Sequence, residues 1–183
     1  MDAGTFRLGV IGHRYLGGEA TRGFVQHCCT RVLAIAKQRR SPVVAISALA
    51  DGADSVFAQA ALSLGIRLEL VSPFPGRHAD AQLGVAAERY RILRARAASE
   101  SAAHFDGESP HAYRRSMQWV TFQSHALVVV WDGVERGLAG GTWETVTLAR
   151  QLGKPTIHID NVRRCVHVAD RPVSIERAAE SIT

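Results

Sequence analysis

Much about this chain follows from what it lacks. Among 183 residues there is no apolar run near the roughly 18 that a membrane-spanning helix needs. Met1 to Phe6 carries Asp2 and no basic leader ahead of an apolar stretch, so no secretory signal is expected there and the expected compartment is the cytoplasm. Cysteine is scarce: Cys28, Cys29 and Cys165 make an odd count without Cys-x-x-Cys spacing, which argues against a disulfide framework and a zinc site. Cys28 falls on an apolar helical stripe and reads as core. The eight histidines form no His-Glu-x-x-His or similar pair, so neither a metal nor a cofactor is expected. Gly-x-Gly-x-x-Gly is absent, so the dinucleotide fingerprint is not supported. Lysine is nearly missing: Lys37 and Lys154 are the only two, and arginine supplies the other 20 of 22 basic residues. Arginine's planar fork grips oxyanions in pairs of hydrogen bonds, but a GC-rich genome would produce the same bias. No basic run interleaved with aromatics appears, so the net charge of +5 does not by itself point to nucleic acid.

What is present is ordinary for a globular protein: 46% hydrophobic and 21% charged residues. The length fits one domain over residues 1–183, able to bury about 70% of its unfolded surface without staples. Short apolar runs alternate with longer helical periods. Strands are predicted at Phe6–Ile11, Val43–Ile46, Ile66–Val71, Ala126–Trp131 and Pro155–Ile159, the continuous runs expected of strands buried on both faces. Helices are predicted over about 19–39, through Val56–Leu64, and over about 80–98, 111–123 and 143–152, with Phe24, Cys28, Val32, Ile35 and Ala36 striping the first. Ala102–Phe105 reads as either a short strand or a loop, and the tail adds a strand at Val166–Val168 and a helix at Ser174–Ser181. The pattern predicts an α/β fold, a Rossmann-like three-layer sandwich around a mostly parallel sheet of five to seven strands. Ligands of such sheets bind beyond the carboxyl ends of the strands, which directs attention to four loops.

After the first strand comes Gly12-His13-Arg14-Tyr15-Leu16-Gly17-Gly18, whose glycines let amides approach a phosphate while Arg14 adds a charge-assisted contact. After the second, Ser47 to Asp54 includes Asp51, Gly52, Ala53 and Asp54. Gly52 and Ala53 permit close backbone approach, and the carboxylates either cap a helix or hold ribose hydroxyls or a base edge. After the third, Pro73-Phe74 offers a ring to stack on a base, or only a stiff turn. The strongest strand leads into Trp131-Asp132-Gly133 and then Gly140-Gly141-Thr142-Trp143-Glu144. A Gly-Gly-Thr at a helix start directs amides and a hydroxyl at a phosphate, with the helix dipole behind them. Glu144 serves either as a general base or as favourable first-turn charge, and Arg114 or Arg115 on the preceding helix either neutralises a phosphate or faces solvent.

Two of these segments carry a family resemblance over about residues 6–160. Ile46–Leu62 resembles the Ser-Gly-Leu-Ala-x-Gly-x-Asp segment of the DNA-processing (DprA/Smf) family. Gly140-Gly141-Thr142-x-Glu144, with Arg114-Arg115 before it, resembles the Pro-Gly-Gly-x-Gly-Thr-x-x-Glu signature and Arg-Lys pair of the "lonely guy" (LOG) phosphoribohydrolases. Together they resemble the SLOG superfamily of Rossmann-like nucleotide-binding proteins, in its uncharacterised or sensor-like branch. The resemblance implies a nucleotide-derived ligand and a homodimer, with the helix bearing Met117, Trp119, Val120 and Phe122 as the contact. In one form it implies hydrolysis of the N-glycosidic bond of a nucleoside 5′-monophosphate, with Glu144, Asp132 or Asp51 as the carboxylate and Arg114 on the phosphate. In another it implies a non-catalytic sensor of an ADP-ribose-like or cyclic nucleotide, and in a third a DprA-like binder of single-stranded DNA. The sequence departs from the signature at three places: Ala139 replaces the proline, the second glycine of Gly-x-Gly-Thr has no separate counterpart, and Thr145 occupies the glutamate position, so Glu144 comes one residue early and is turned by about 100°. That bears on hydrolysis more than on phosphate binding.

Overall fold

A computed structural model describes residues 4–73, 87–102, 110–137, 141–169 and 171–183. Its strands are β1 (Phe6–Gly12), β2 (Val43–Ser47), β3 (Arg67–Ser72), β4 (Ser99–Ala102), β5 (Ala126–Val130), β6 (Thr156–Asp160), β7 (Cys165–Val168) and β8 (Arg171–Val173). The helices among the described residues are α1 (Glu19–Arg39), α2 (Ala53–Ser63), α3 (Ala87–Ala95), α4 (Pro110–Gln123), α5 (Thr142–Gln151) and α6 (Ile175–Ser181). All strands join one sheet in the order β4-β3-β2-β1-β5-β6-β7-β8. Five parallel pairings link the six strands from β4 to β6, while β7 and β8 extend that edge in antiparallel fashion. The Rossmann-like α/β architecture is the expected one, with eight strands among the described residues instead of at most seven. The addition is β8, three residues containing Pro172 and therefore silent to periodicity. Near residue 100 the strand is Ser99–Ala102, upstream of the expected Ala102–Phe105, of which residues 103–105 lie outside the described residues.

Strand alternation sends side chains into two cores. Leu8 and Val10 of β1, Val128 and Val130 of β5 and Ile157 and Ile159 of β6 face the layer that holds α1, α2, α3 and α6. Ile11, Ile46, Leu127 and Val129 face the layer of α4 and α5. On α1 the buried stripe is Val25, Cys28, Cys29, Val32, Leu33, Ile35 and Ala36, the i, i+3, i+4 recurrence that seats a helix on a sheet. On β1, Gly9 faces α4, where an added Cβ would lie 2.2 Å from Ser124 Oγ and 3.0 Å from Val120 Cγ1. Burial pushes the Cys28 thiol up to about 12 and the fully enclosed Cys29 thiol higher still, so both behave as small apolar core residues. The sheet's two edges are short: β4 reads Ser-Glu-Ser-Ala and is mostly exposed, and β8 reads Arg-Pro-Val.

Candidate ligand-binding site

The chain winds from β1 outward to β4, then crosses back to β5 beside β1. The strand order therefore reverses between β1 and β5, and a crevice opens beyond their carboxyl ends. Two helices start at this crest from opposite layers. The N-cap of α1 is Gly18 and that of α5 is Gly141; both have extended backbone, and neither helix is capped by a side chain. Each of these helix starts offers first-turn amides and the positive end of a helix dipole. Thr142 opens α5 as the Gly-Gly-Thr pattern expects; Gly140 lies outside the described residues.

At the start of α2 the protein fills its own space. The Ala53 amide donates to the His13 carbonyl at 3.0 Å. Gly52 has φ +86°, and a Cβ there would meet Arg14 O at 2.3 Å and His13 O at 2.4 Å. A Cβ on Gly12 would fall 2.6 Å from Val130 O and 2.7 Å from Ala53 Cβ. The close approach at Gly12, Gly52 and Ala53 is thus between two protein loops, which need residues this small to join. Ser47, fully buried, accepts from the Leu49 amide at 3.0 Å and donates to the Asp54 carbonyl at 3.3 Å. Asp54 is 2% exposed, and its carboxylate turns back onto the Ala50 amide at 3.4 Å. Burial pushes its carboxyl up to about 7, offset in part by the Ala50 and Ala48 amides and by Arg14. Asp54 shapes the loop, whereas half-exposed Asp51 pairs with Arg89 at 3.4 Å.

Above β1 and β5 the polar groups gather. His13 Nε2 lies 3.1 Å from Asp132 Oδ1, and Arg136 Nη2 lies 2.6 Å from Asp132 Oδ2. The Arg136 guanidinium holds the Asp132 carboxyl well below the usual carboxylate range, with the Val134 amide and His13 assisting. Arg14 lies over the Tyr113 ring at 4.4 Å, and Tyr15 beside it is 82% exposed. Trp131 is buried: its ring stacks on Trp143 and contacts His158, both at 5.6 Å, and its indole N–H donates to Val134 O at 3.3 Å. It supports the loop from beneath. Pro73 is half-buried just after β3, and Phe74 lies outside the described residues.

The other sequence candidates stand in the groove between α4 and α5. Arg114 Nε lies 2.7 Å from Glu144 Oε1, and both line a cavity of about 550 Å³ with Gln118, Trp143 and Thr147. Thr145, at the position where the LOG signature has its glutamate, is buried, with its hydroxyl 3.4 Å from Gly141 O. Arg115 sits on the exposed side of α4. The candidates thus divide into a crest group (His13, Arg14, Asp132, Thr142), a loop-joining group (Gly12, Ser47, Gly52, Ala53, Asp54) and a groove pair (Arg114, Glu144). Sequence reasoning missed Arg136 and Tyr113. The Asp132–Arg136 spacing of four, within a Gly-containing loop, was the available signal for the first.

The fold and crest define a Rossmann-like α/β protein with its candidate site at the strand-order reversal. Solved structures bear this out at the level of fold. DNA processing protein A from Streptococcus pneumoniae aligns with a TM-score of 0.58 at 16% identity, covering 84% of this chain and 50% of that one. DNA processing protein A from Helicobacter pylori, which binds single-stranded DNA, aligns at 0.57 and 18% identity over 84% of this chain and 64% of that one. The molybdenum cofactor carrier protein from Chlamydomonas reinhardtii aligns at 0.53 and 14% identity over 85% and 77%. The chain thus spans half to under two thirds of the two DNA processing proteins. No protein-family model and no curated protein matches the chain. Among the described residues no helix is long and apolar enough to cross a membrane.

Proposed function

We propose that this chain binds a nucleotide-derived phosphate ligand at the β1/β5 crest and holds it without cleaving it. The ligand phosphate would take the first-turn amides and Thr142 hydroxyl of α5, with Arg14 as the charged partner. One observation carries the preference for binding over hydrolysis: each carboxylate that could act on a glycosidic bond is already engaged by a cation. Glu144 is paired with Arg114 at 2.7 Å, and Asp132 with Arg136 at 2.6 Å and His13 at 3.1 Å. A carboxylate held below its usual range is a weak proton acceptor, and the position of the LOG glutamate is a buried threonine.

The test is calorimetric titration with AMP and ADP-ribose, followed by mass analysis of the mixture. The expected result is saturable binding with every ligand molecule intact, weakened at least about tenfold in Thr142→Val and Arg14→Gln. Release of free base would overturn the non-catalytic reading, and the absence of any binding would overturn the site. The exposed side of α4, with Trp119 40% and Phe122 53% exposed, is the face we assign to a second copy of the chain. Val120 of the same helix is wholly buried and Met117 packs against the core, so those two stand outside that contact.

A further inference from the structure

Arg14 follows β1 and Arg136 follows β5, but only Arg14 keeps its donors free. Arg136 gives two of them to Asp132, at 3.1 and 2.6 Å. The exposed Arg14 side chain makes no hydrogen bond or ion pair among the described residues. What holds it is the Tyr113 ring, whose centroid lies 4.4 Å from the guanidinium carbon. An aromatic face attracts a guanidinium without taking up its in-plane N–H groups as an oxygen does, so the fork stays available to an oxyanion. Tyr113 also decides on which side of the sheet that fork stands. After Arg14 the chain passes to α1, which packs in the opposite layer. Tyr113 lies in the first turn of α4, and α4 and α5 share one layer and both pack against β1. The contact therefore turns the Arg14 head away from the path of its own chain and into the layer in which α5 begins. The next residue, Arg114, reaches Glu144 in the first turn of α5 at 2.7 Å. Consecutive residues of α4 thus tie down both the crest arginine and the helix start.

We infer that Tyr113 is a positioning residue for phosphate binding: its ring holds Arg14 on the α5 side of the crest before any ligand arrives. The inference rests on the phosphate occupying the α5 start with Arg14 as its charged partner. An unrestrained arginine on an open crest loses rotamer freedom when a ligand fixes it, and that loss lowers the affinity. A ring that has already fixed the side chain removes much of the loss without competing for a single donor. A carboxylate in the same place would hold Arg14 as firmly but would occupy its donors, as Asp132 does with Arg136.

The probe is AMP, titrated calorimetrically into the full chain and its variants as a thermodynamic cycle. Tyr113→Leu is expected to weaken AMP binding about three- to tenfold, and Tyr113→Phe, which keeps the ring, by less than about twofold. In the Arg14→Gln background the leucine substitution should change the affinity by less than about twofold, because the group it positions is gone. An unchanged affinity in Tyr113→Leu, equal losses in both backgrounds, or a phenylalanine variant as weak as the leucine one would overturn the assignment. A second measurement uses the unsubstituted protein and so does not depend on a variant folding. The Tyr113 ring current should shift the Arg14 side-chain protons upfield in the NMR spectrum, and the shift should persist at saturating AMP. Arg14 resonances at ordinary positions, or a shift that vanishes on saturation, would equally overturn it. Failure of the unsubstituted protein to bind AMP would remove the phosphate reading itself, and this inference with it, before any variant is compared.

Discussion

Replacing Asp54 by asparagine should stabilise the protein at alkaline pH and progressively less toward acid. The carboxyl is 2% exposed and pushed up to about 7 from 3.8 by burial. A folded-state value above the unfolded one means that the folded chain binds more protons between the two, so stability falls as pH rises through that window. The loss begins near the unfolded value and is complete just above the folded one. A shift of roughly three units corresponds to about 4 kcal/mol in all, at 1.36 kcal/mol per unit. Of that, about 2–3 kcal/mol accrues between about pH 5 and pH 8. Asparagine keeps an oxygen for the Ala50 amide and never ionises, so its stability escapes this loss. Urea denaturation of both proteins across the range isolates the effect, because every other titrating group is common to the two. With a slope of about 2 kcal/mol/M for a chain this size, the gap between midpoints should widen by about 1 M from pH 5 to pH 8 and stay level above it. Parallel pH profiles for the two proteins would refute the reasoning, whatever their offset.

Further substitutions test the packing and the charges around the crest. Gly52→Ala forces a side chain into left-handed backbone against the His13 and Arg14 carbonyls, and is expected to cost at least about 2 kcal/mol by urea unfolding. Gly9→Ala drives a methyl group into Ser124 Oγ and should cost about 1–3 kcal/mol, in part recovered in Gly9→Ala/Ser124→Ala. Arg136→Ala frees Asp132 of its chief partner, so the carboxyl should rise toward the ordinary range in a carbon-13 NMR titration while the unfolding midpoint scarcely moves. With a thiol reagent, the native protein should titrate at Cys165 alone, Cys28 and Cys29 reacting only on unfolding.

How much of this was legible in the residues depends on the kind of signal. Val43–Ile46 and Ala126–Val130 are apolar without interruption, and strands buried on both faces must be. The breaks at Pro42, Gly65 and Gly153 fall at element ends because proline and positive-φ glycine cannot continue a helix or strand. Ser99–Ala102 has neither alternation nor an apolar run, since an edge strand facing water needs neither, so its position slipped by three residues. At the candidate site, glycine and small residues have a structural reason that the sequence did not reveal: Gly12 and Gly52 make room for the protein's own backbone. The partners of the charged groups were not readable, because Arg89 meets Asp51, and Arg114 meets Glu144, only through tertiary folding.

The sheet's two margins also decide how this molecule can associate with others. A bare β-edge invites another chain to add a strand, and proteins discourage it with short, charged or proline-bearing edge strands. One margin here is four residues long and carries Glu100 among serines; the other is three residues long with Pro172 at its centre, where no amide is available to donate. Among the described residues, both edges therefore discourage strand-by-strand growth, the route to fibrils and swapped sheets. That directs assembly of this chain toward its helical layers and the crest, where an interface can be dissected one side chain at a time.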